Sequence, residues 1–172
     1  MSSRVVIKLG GGLITDKGSM KKFDPDSVER VADSISSIVG MGVPVVIVHG
    51  AGSFGHLLAK EWSISKGVDH KIAKQQRMIV EEIRSDMREL NGLVIDRLSD
   101  SGLESEGLPP SEWAIGTGSG FKGDITNFER VVEAPIPITF GDVVDTNDHQ
   151  EFGILSGDDL MVRLSRELEV SH

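Results

Sequence analysis

Short runs of apolar, β-branched residues alternate along the chain with amphipathic helical patterns. The runs at 4–9 (RVVIKL) and 43–50 (VPVVIVHG) each lead into glycine, a composition typical of buried parallel strands. Between them, Asp24 and Pro25 predict the N-cap and first turn of a helix, and apolar residues recur at helical spacing as far as Gly40. This strand–helix–strand order predicts a right-handed βαβ unit.

The rest of the chain continues this alternation less regularly. The amphipathic pattern predicts a long helix over 71–99, and 107–130, with five glycines and two prolines, indicates short strands and an exposed hairpin. A further strand is predicted at 134–144. The segment 151–168 indicates a short strand that enters a helix capped by Ser156. Together these elements predict an α/β fold with an open, mainly parallel sheet flanked by helices.

Composition narrows the class of protein. The chain has 172 residues, of which 38% are hydrophobic and 26% are charged. This length and composition predict a single domain over residues 1–172. A net charge of −9 disfavours nucleic acid as a partner. The absence of cysteine excludes disulfides and thiolate zinc sites. The N-terminal sequence resembles neither a secretory signal nor a membrane span, which predicts a cytoplasmic protein without a membrane partner.

Two glycine-rich turns, 10–12 and 50–55, follow the first two predicted strands. Because ligands of open α/β sheets bind beyond the carboxyl ends of the strands, both turns are expected to face one crevice. Their backbone N–H groups would form an anion-binding nest, to which a helix beginning near Asp24 or Phe54 would add its positive end. The alternative is that each glycine only permits a tight turn.

Charged side chains lie near the same turns. Lys8 lies within an apolar strand and needs an anionic partner there, unless it faces outward from an edge strand. Lys17 and His56 follow the two turns; the alternatives are a solvated loop lysine and a histidine with a structural hydrogen bond. Asp158 and Asp159 lie in the predicted first turn of the last helix, where a capping role is the alternative. The convergence of the lysines, the histidine and a carboxylate with the two glycine-rich turns at the strand ends suits phosphoryl chemistry.

Other nucleotide and catalytic motifs fit less well. The chain has no G-x-x-x-x-G-K-[ST] motif. The stretch GAGSFG matches G-x-G-x-x-G, but the acidic residue expected about 20 positions later would be Asp69, which has no strand before it. No Ser-His-Asp order stands out. His49, His56 and His70 lack convincing metal-ligand spacing, and no metal-binding residues are predicted.

Three blocks carry a family resemblance: VVIKLGGGLITDK, VVIVHGAGSFGH and PITFGDVVDTNDHQEFGILSGDD. In this order they resemble the amino acid kinase superfamily, and ITDK and GSFGH resemble its isopentenyl phosphate kinases and the related fosfomycin-resistance kinases. The resemblance implies a three-layer sandwich of which this chain carries the N-terminal, acceptor-binding portion, with the C-terminal portion missing. It also implies Mg²⁺- and ATP-dependent phosphorylation of isopentenyl phosphate to the diphosphate, in the alternative mevalonate route of isoprenoid biosynthesis.

The resemblance also implies roles for individual residues. Catalytic roles fall on Lys8, Lys17, His56 and Asp158. Contacts to the ATP phosphates fall on Lys8, Gly10, Gly11, Gly12 and Gly52. Contacts to the acceptor fall on Ala51, Gly52, Gly55, His56 and Gly157. Two positions depart from the family pattern: Gly12 replaces the usual serine, and Ala51 replaces a glycine, which is tolerated only if φ at residue 51 is negative.

Physical chemistry agrees with this assignment. The second pKa of a phosphate monoester is about 6, so the attacking oxygen is already ionised at pH 7 and no general base is needed. The reaction instead needs two anions held in line by cations and N–H donors. Ile79, Ile83 and Met87 of the long helix would form an apolar wall for a prenyl tail, or would simply be core residues.

Two other functions remain open at this point. One is a non-catalytic phosphate- or isoprenoid-binding module that needs a partner chain; the other is a kinase for another small phosphate or phosphonate such as fosfomycin. A kinase reduced to its acceptor-binding portion would also transfer phosphate poorly. A truncated sheet would expose a strand edge and an apolar helix face, which predicts a homodimer or another partner that covers them.

Overall fold

The computed structural model describes residues 4–16 and 18–168, which form eight strands and six α-helices. The strands are β1 (Val5–Leu9), β2 (Val45–His49), β3 (Ser105–Gly107), β4 (Ala114–Ile115), β5 (Lys122–Gly123), β6 (Ile136–Phe140), β7 (Asp142–Asp145) and β8 (Phe152–Leu155). The helices are α1 (Gly11–Ile14), α2 (Pro25–Gly40), α3 (Gly52–Glu61), α4 (Ala73–Asp100), α5 (Pro110–Trp113) and α6 (Gly157–Glu167). Single 3₁₀ turns lie at Ile64–Lys66 and Thr126–Phe128.

The strands belong to two sheets. The first is entirely parallel, in the order β1-β2-β6-β3, and Leu9 of β1 is in register with His49 of β2. The second has the order β5-β4-β7-β8, with antiparallel β4–β5 and β7–β8 pairs and a parallel β4–β7 pair. The predicted class, an α/β fold with a mainly parallel sheet, is therefore confirmed. The register places both glycine-rich turns side by side at the carboxyl ends of the parallel strands.

Side chains alternate across the parallel sheet and bury both of its faces. Val45 and Ile47 of β2 pack in a core that also contains apolar residues of α2 and α4. Val46 and Val48 pack in a second core, with residues of α6 and with Phe128. Because successive strand residues point to opposite faces, one run of valine and isoleucine serves both cores. The chain thus forms three layers.

The segment 134–144 is not the single strand that its apolar sequence predicts. It contains β6 and β7, which belong to different sheets and are separated at Gly141. The Gly141 N–H donates to the His49 carbonyl oxygen at 3.0 Å, after which Asp142 pairs with Leu155 of β8. Residues on both sides of this break are buried, so the hydrophobic pattern carries no sign of it.

The local signals for helix starts are correct. The Asp24 side chain accepts a hydrogen bond from the Ser27 N–H with Pro25 in the first turn, and Ser156 caps α6. The long helix spans Ala73–Asp100, close to its predicted bounds. The second glycine-rich turn differs, because residues 52–55 already belong to α3. The helix expected near Phe54 therefore begins two residues earlier, at Gly52.

Among the residues that the structure describes, no helix is both long enough and apolar enough to cross a bilayer.

Candidate active site at the strand ends

The two glycine-rich turns pack against each other backbone to backbone. A Cβ on Gly11 would lie 2.3 Å from the Gly52 nitrogen, and a Cβ on Gly50 would lie 2.7 Å from the Gly11 nitrogen. Gly52 also has a φ of +49°, a conformation that favours glycine. These glycines therefore do more than permit tight turns, because they let the starts of α1 and α3 lie side by side.

Thr15, which the sequence analysis did not single out, fastens the two turns together. Its buried hydroxyl donates to the Gly11 carbonyl at 2.7 Å and accepts from the Ser53 N–H at 3.0 Å. The bond to Gly11 is of the i to i−4 type that threonine makes in helices. The bond to Ser53 joins positions distant in the sequence, so no local signal indicates it.

A cavity of about 200 Å³ opens at these strand ends. Seven of the residues that the sequence analysis selected line it: Lys8, Gly11, Ala51, Gly55, His56, Gly157 and Asp158. The apolar part of its lining consists of Ala59, Ile83, Met87, Val143 and Ile154. Ile83 and Met87 are fully packed in the first core as well. Ile79, the third residue of the expected wall, packs against that core and does not line the cavity.

A second cavity of about 390 Å³ adjoins the first, and Gly11 and His56 line both. Gly12 and Gly52 line it together with Ser53 and Leu57. Gly10 is the N-cap of α1 and its carbonyl accepts from the Leu13 N–H at 2.8 Å. Apart from Gly10, the residues that the resemblance divides between the ATP phosphates and the acceptor line two neighbouring cavities.

Lys8 and Asp158 form an ion pair between β1 and α6. Lys8 lies on the same face of β1 as Val6, whose side chain packs in the α6 core. Its side chain is 37% exposed and that of Asp158 is 79% exposed. An ion pair this exposed contributes little to stability. It holds the Lys8 ammonium at the cavity, whereas the alternative was a lysine that faces outward.

Two of the longer helices begin beside the two cavities with glycine as their first residue, α3 at Gly52 and α6 at Gly157. The first N–H groups of a helix have no acceptor within it, and the helix dipole makes this end positive. In α6, Asp159 and Ser156 form a capping box, so the capping alternative is correct for Asp159. The N-termini of α3 and α6 and the Lys8 ammonium together favour an anionic ligand.

The remaining predicted site residues lie as follows. The side chain of His56 projects from α3 and is exposed where the two cavities meet. Ala51 has a φ of −78°, so the condition for alanine in place of glycine is met. Gly55 packs against α4, where a Cβ would lie 3.2 Å from the Met87 sulfur. Lys17 lies outside the described residues.

Asp142 is a cavity-lining residue that the sequence analysis did not select. Its side chain is buried, and burial raises the pKa of its carboxyl to about 6, although the neighbouring Arg84 guanidinium opposes this shift. One carboxyl oxygen accepts from the Val143 N–H at 2.9 Å. In the sequence, Asp142 follows Gly141 and is indistinguishable from a polar turn residue.

His49 was considered only as a metal ligand. Its ring is fully buried at the end of β2 and stacks on Phe140, with a centroid distance of 5.0 Å. Nδ1 lies 3.0 Å from the Gly50 carbonyl oxygen and Nε2 lies 3.0 Å from the Asn91 side chain. Burial lowers the pKa of His49, so the ring is neutral at pH 7.

Comparison with known proteins gives consistent matches. The model of the amino acid kinase family matches residues 3–172. The isopentenyl phosphate kinase of Methanothermobacter thermautotrophicus is 31% identical over 169 residues, which are 95% of this chain and 63% of that protein. An X-ray structure of isopentenyl phosphate kinase superposes with a TM-score of 0.86 at 31% identity and covers 97% of this chain and 68% of the other. A substrate complex of isopentenyl phosphate kinase gives a TM-score of 0.80 at 28% identity, covering 96% and 65%.

These matches agree with the fold and with the residues around the cavity. The chain spans 63% of the length of the Methanothermobacter relative. The family match covers residues 3–172 of this chain and therefore includes both glycine-rich turns and the start of α6. The predicted resemblance is confirmed: this chain belongs to the amino acid kinase family.

Proposed function

We propose that this chain forms the acceptor site of a kinase that phosphorylates isopentenyl phosphate to isopentenyl diphosphate with ATP. The carrying observation is that one cavity is lined by the Lys8 ammonium and the start of α6 and also by an apolar wall that includes Met87 and Ile154. A volume of about 200 Å³ is below the roughly 300–1,000 Å³ typical of sites for drug-sized ligands, which favours a phosphate with a short tail. The name of the relatives supports the same acceptor.

The residues of this chain would act mainly by position and charge. The acceptor phosphate is ionised at neutral pH, so catalysis requires that it be held in line with the donor and that the repulsion between the two anions be offset. Lys8 and the first N–H groups of α3 and α6 would offset it, and Asp158 would orient the Lys8 ammonium. His56 would donate a hydrogen bond to the acceptor phosphate. The resemblance assigns stabilisation of the transition state to Lys17.

ATP would supply the phosphoryl group. Its phosphates would contact Lys8 and the backbone of Gly10, Gly11, Gly12 and Gly52, beside the second cavity. Within the described ranges, no three histidine, aspartate or glutamate side chains come together as a metal site. We assign no protein ligand for Mg²⁺.

The apolar wall bears on the other candidate functions. A small phosphonate such as fosfomycin would leave Ile154, the least buried residue of the apolar wall, without a partner, so the wall favours an alkenyl tail. A non-catalytic binding module would use the same cavity, and it differs from a kinase only in lacking phosphoryl transfer. A transfer assay with ATP and isopentenyl phosphate separates these two functions.

Calorimetric titration of the 172-residue chain with isopentenyl phosphate tests the proposal. We expect saturable binding that His56→Ala weakens by about tenfold, the loss expected for one charge-assisted hydrogen bond. His149→Ala is the matched control, because His149 is exposed on a distant loop. A wild-type chain that does not bind the ligand, or a His56→Ala variant that binds it equally well, would contradict the proposed acceptor site. A separate titration with Mg-ATP reports on the donor.

A further inference from the structure

The buried ring of His49 takes no part in the proposed chemistry, yet it contacts the turn that holds the anion. It lies between Phe140 on β6 and Asn91 on α4, and Nδ1 bonds to the carbonyl oxygen of the next residue, Gly50. Gly50 and Ala51 both line the cavity. The ring therefore joins α4 to the first peptide of the second glycine-rich turn.

The partners of the ring determine where its proton lies. A carbonyl oxygen only accepts, so a hydrogen bond to Gly50 requires the hydrogen on Nδ1. Asn91 Oδ1 faces Nε2 at 3.0 Å, and a neutral ring donates to only one of these two oxygens. A half-turn of the Asn91 amide brings its NH₂ group to Nε2, and the tautomer with the proton on Nδ1 then satisfies both ring nitrogens.

This hydrogen bond also orients the peptide between Gly50 and Ala51. The C=O and N–H of a trans peptide point in opposite directions. His49 is on the face of β2 that carries Val45 and Ile47, so its ring holds the Gly50 carbonyl on the α4 side of the sheet. The Ala51 N–H then points to the α6 side, where Lys8 and Gly157 line the cavity.

A reversed peptide would be harmful to anion binding. It would turn the Gly50 carbonyl oxygen toward the Lys8 side of the cavity and present a partial negative charge to the phosphate. Glycine at position 50 makes such a rotation easy, because glycine adopts backbone conformations that other residues avoid. The turn therefore needs a partner that holds the carbonyl away from the ligand.

We propose that His49 is a positioning residue: its Nδ1–H holds the Gly50 carbonyl inward so that the Ala51 N–H is presented to the acceptor phosphate. This role rests on the proposed function, because the phosphate is the ligand that the N–H serves. With its NH₂ group turned to Nε2, Asn91 would support this tautomer of the ring.

A pair of substitutions in the full 172-residue chain separates positioning from packing. In His49→Asn the side-chain amide nitrogen takes the place of Nδ1, whereas in His49→Gln it takes the place of Nε2. We expect His49→Asn to retain the affinity for isopentenyl phosphate within about threefold and His49→Gln to lose about tenfold, the equivalent of one hydrogen bond. A purely structural role predicts that affinity follows stability, which thermal unfolding measures. Equal losses, or weaker binding by His49→Asn, would overturn the proposal.

The tautomer itself is measured without any ligand. Long-range ¹H–¹⁵N NMR spectra of the unliganded chain are expected to show protonated Nδ1 and unprotonated Nε2 for His49. A proton on Nε2 overturns the proposal whatever the chain binds. If the wild type does not bind isopentenyl phosphate, the proposed function is wrong, but the inference about His49 is still tested by two measurements. One is the tautomer of the ring. The other is the chemical shift of the Ala51 amide, which is expected to be unchanged in His49→Asn and changed in His49→Gln.

Discussion

Lys8 of β1 and Asp158 of α6 form an ion pair at the rim of the cavity, although 150 positions separate them in the sequence. The pair joins the end of the edge strand to the start of a helix whose positive end faces the same space. Because both side chains keep substantial exposure, the pair is available to a ligand and its main effect is on charge and orientation.

Lys8→Met is expected to weaken binding of isopentenyl phosphate by at least about tenfold, because one charge-assisted contact is lost. Asp158→Asn should retain binding and lower phosphoryl transfer, since it frees the ammonium without removing it. Both variants should change the free energy of unfolding by less than about 1 kcal/mol. Calorimetry, a transfer assay and urea unfolding check these effects, with Lys60→Met as the control on an exposed face of α3. Unchanged affinity in Lys8→Met would contradict the site.

Gly52→Ala is expected to lower the free energy of unfolding by about 1–3 kcal/mol and to abolish anion binding. Its Cβ would lie 2.1 Å from the Thr15 hydroxyl oxygen, and φ at this position is +49°. Gly92→Ala on α4 is the matched control, because its Cβ meets nothing within 4 Å. This control should raise stability by about 0.5–1 kcal/mol, as glycine is a poor helix former. Denaturant unfolding of both variants measures the contrast, and a neutral Gly52→Ala would show that the two turns are not tightly packed.

Asp142→Asn is expected to stabilise the protein at pH 7. The pKa of Asp142 is raised from 3.8 to about 6, so the folded state holds its proton more tightly and stability falls as pH rises through this window. Asparagine removes the penalty of the buried charge, a gain on the order of 2–3 kcal/mol above pH 6 that fades toward pH 4. Unfolding of both proteins between pH 4 and 8 checks the sign. Asp96→Asn, at an exposed position of α4, is the control variant.

Ile154→Ala is expected to weaken binding of isopentenyl phosphate while leaving the affinity for inorganic phosphate unchanged, because this side chain belongs to the apolar wall of the proposed site and would contact only the tail. Removing part of the apolar wall costs roughly 1 kcal/mol of transfer free energy, or about fivefold in affinity. Competition calorimetry with the two ligands measures both values. Equal losses for both ligands would argue against an apolar tail in this cavity.

The chain is expected to self-associate. β1 is the last strand in the described order of the parallel sheet, and its main-chain groups favour pairing with another edge. Leu13 and Leu57, which flank the glycine-rich turns, are 43% and 48% exposed. Sedimentation velocity over a range of concentrations tests this, and a monomer at the highest concentration would contradict it.

The sequence by itself determined the elements whose signals are local. Strand composition specified β1 and β2, the Asp24–Pro25 pair specified the start of α2, and Ser156 specified the cap of α6. These features depend on residues a few positions apart, where periodicity and capping act directly. The family resemblance then selected seven of the residues that line the cavity.

The tertiary structure alone decided the relationships that join distant segments. The contact between Gly11 and Gly52, the break at Gly141 and the enclosure of His49 by Phe140 and Asn91 arise when separate strands and helices pack together. Burial depends on this packing and not on neighbours in the sequence, and burial sets both the raised pKa of Asp142 and the neutral ring of His49. A pattern read along the chain holds no information on either quantity.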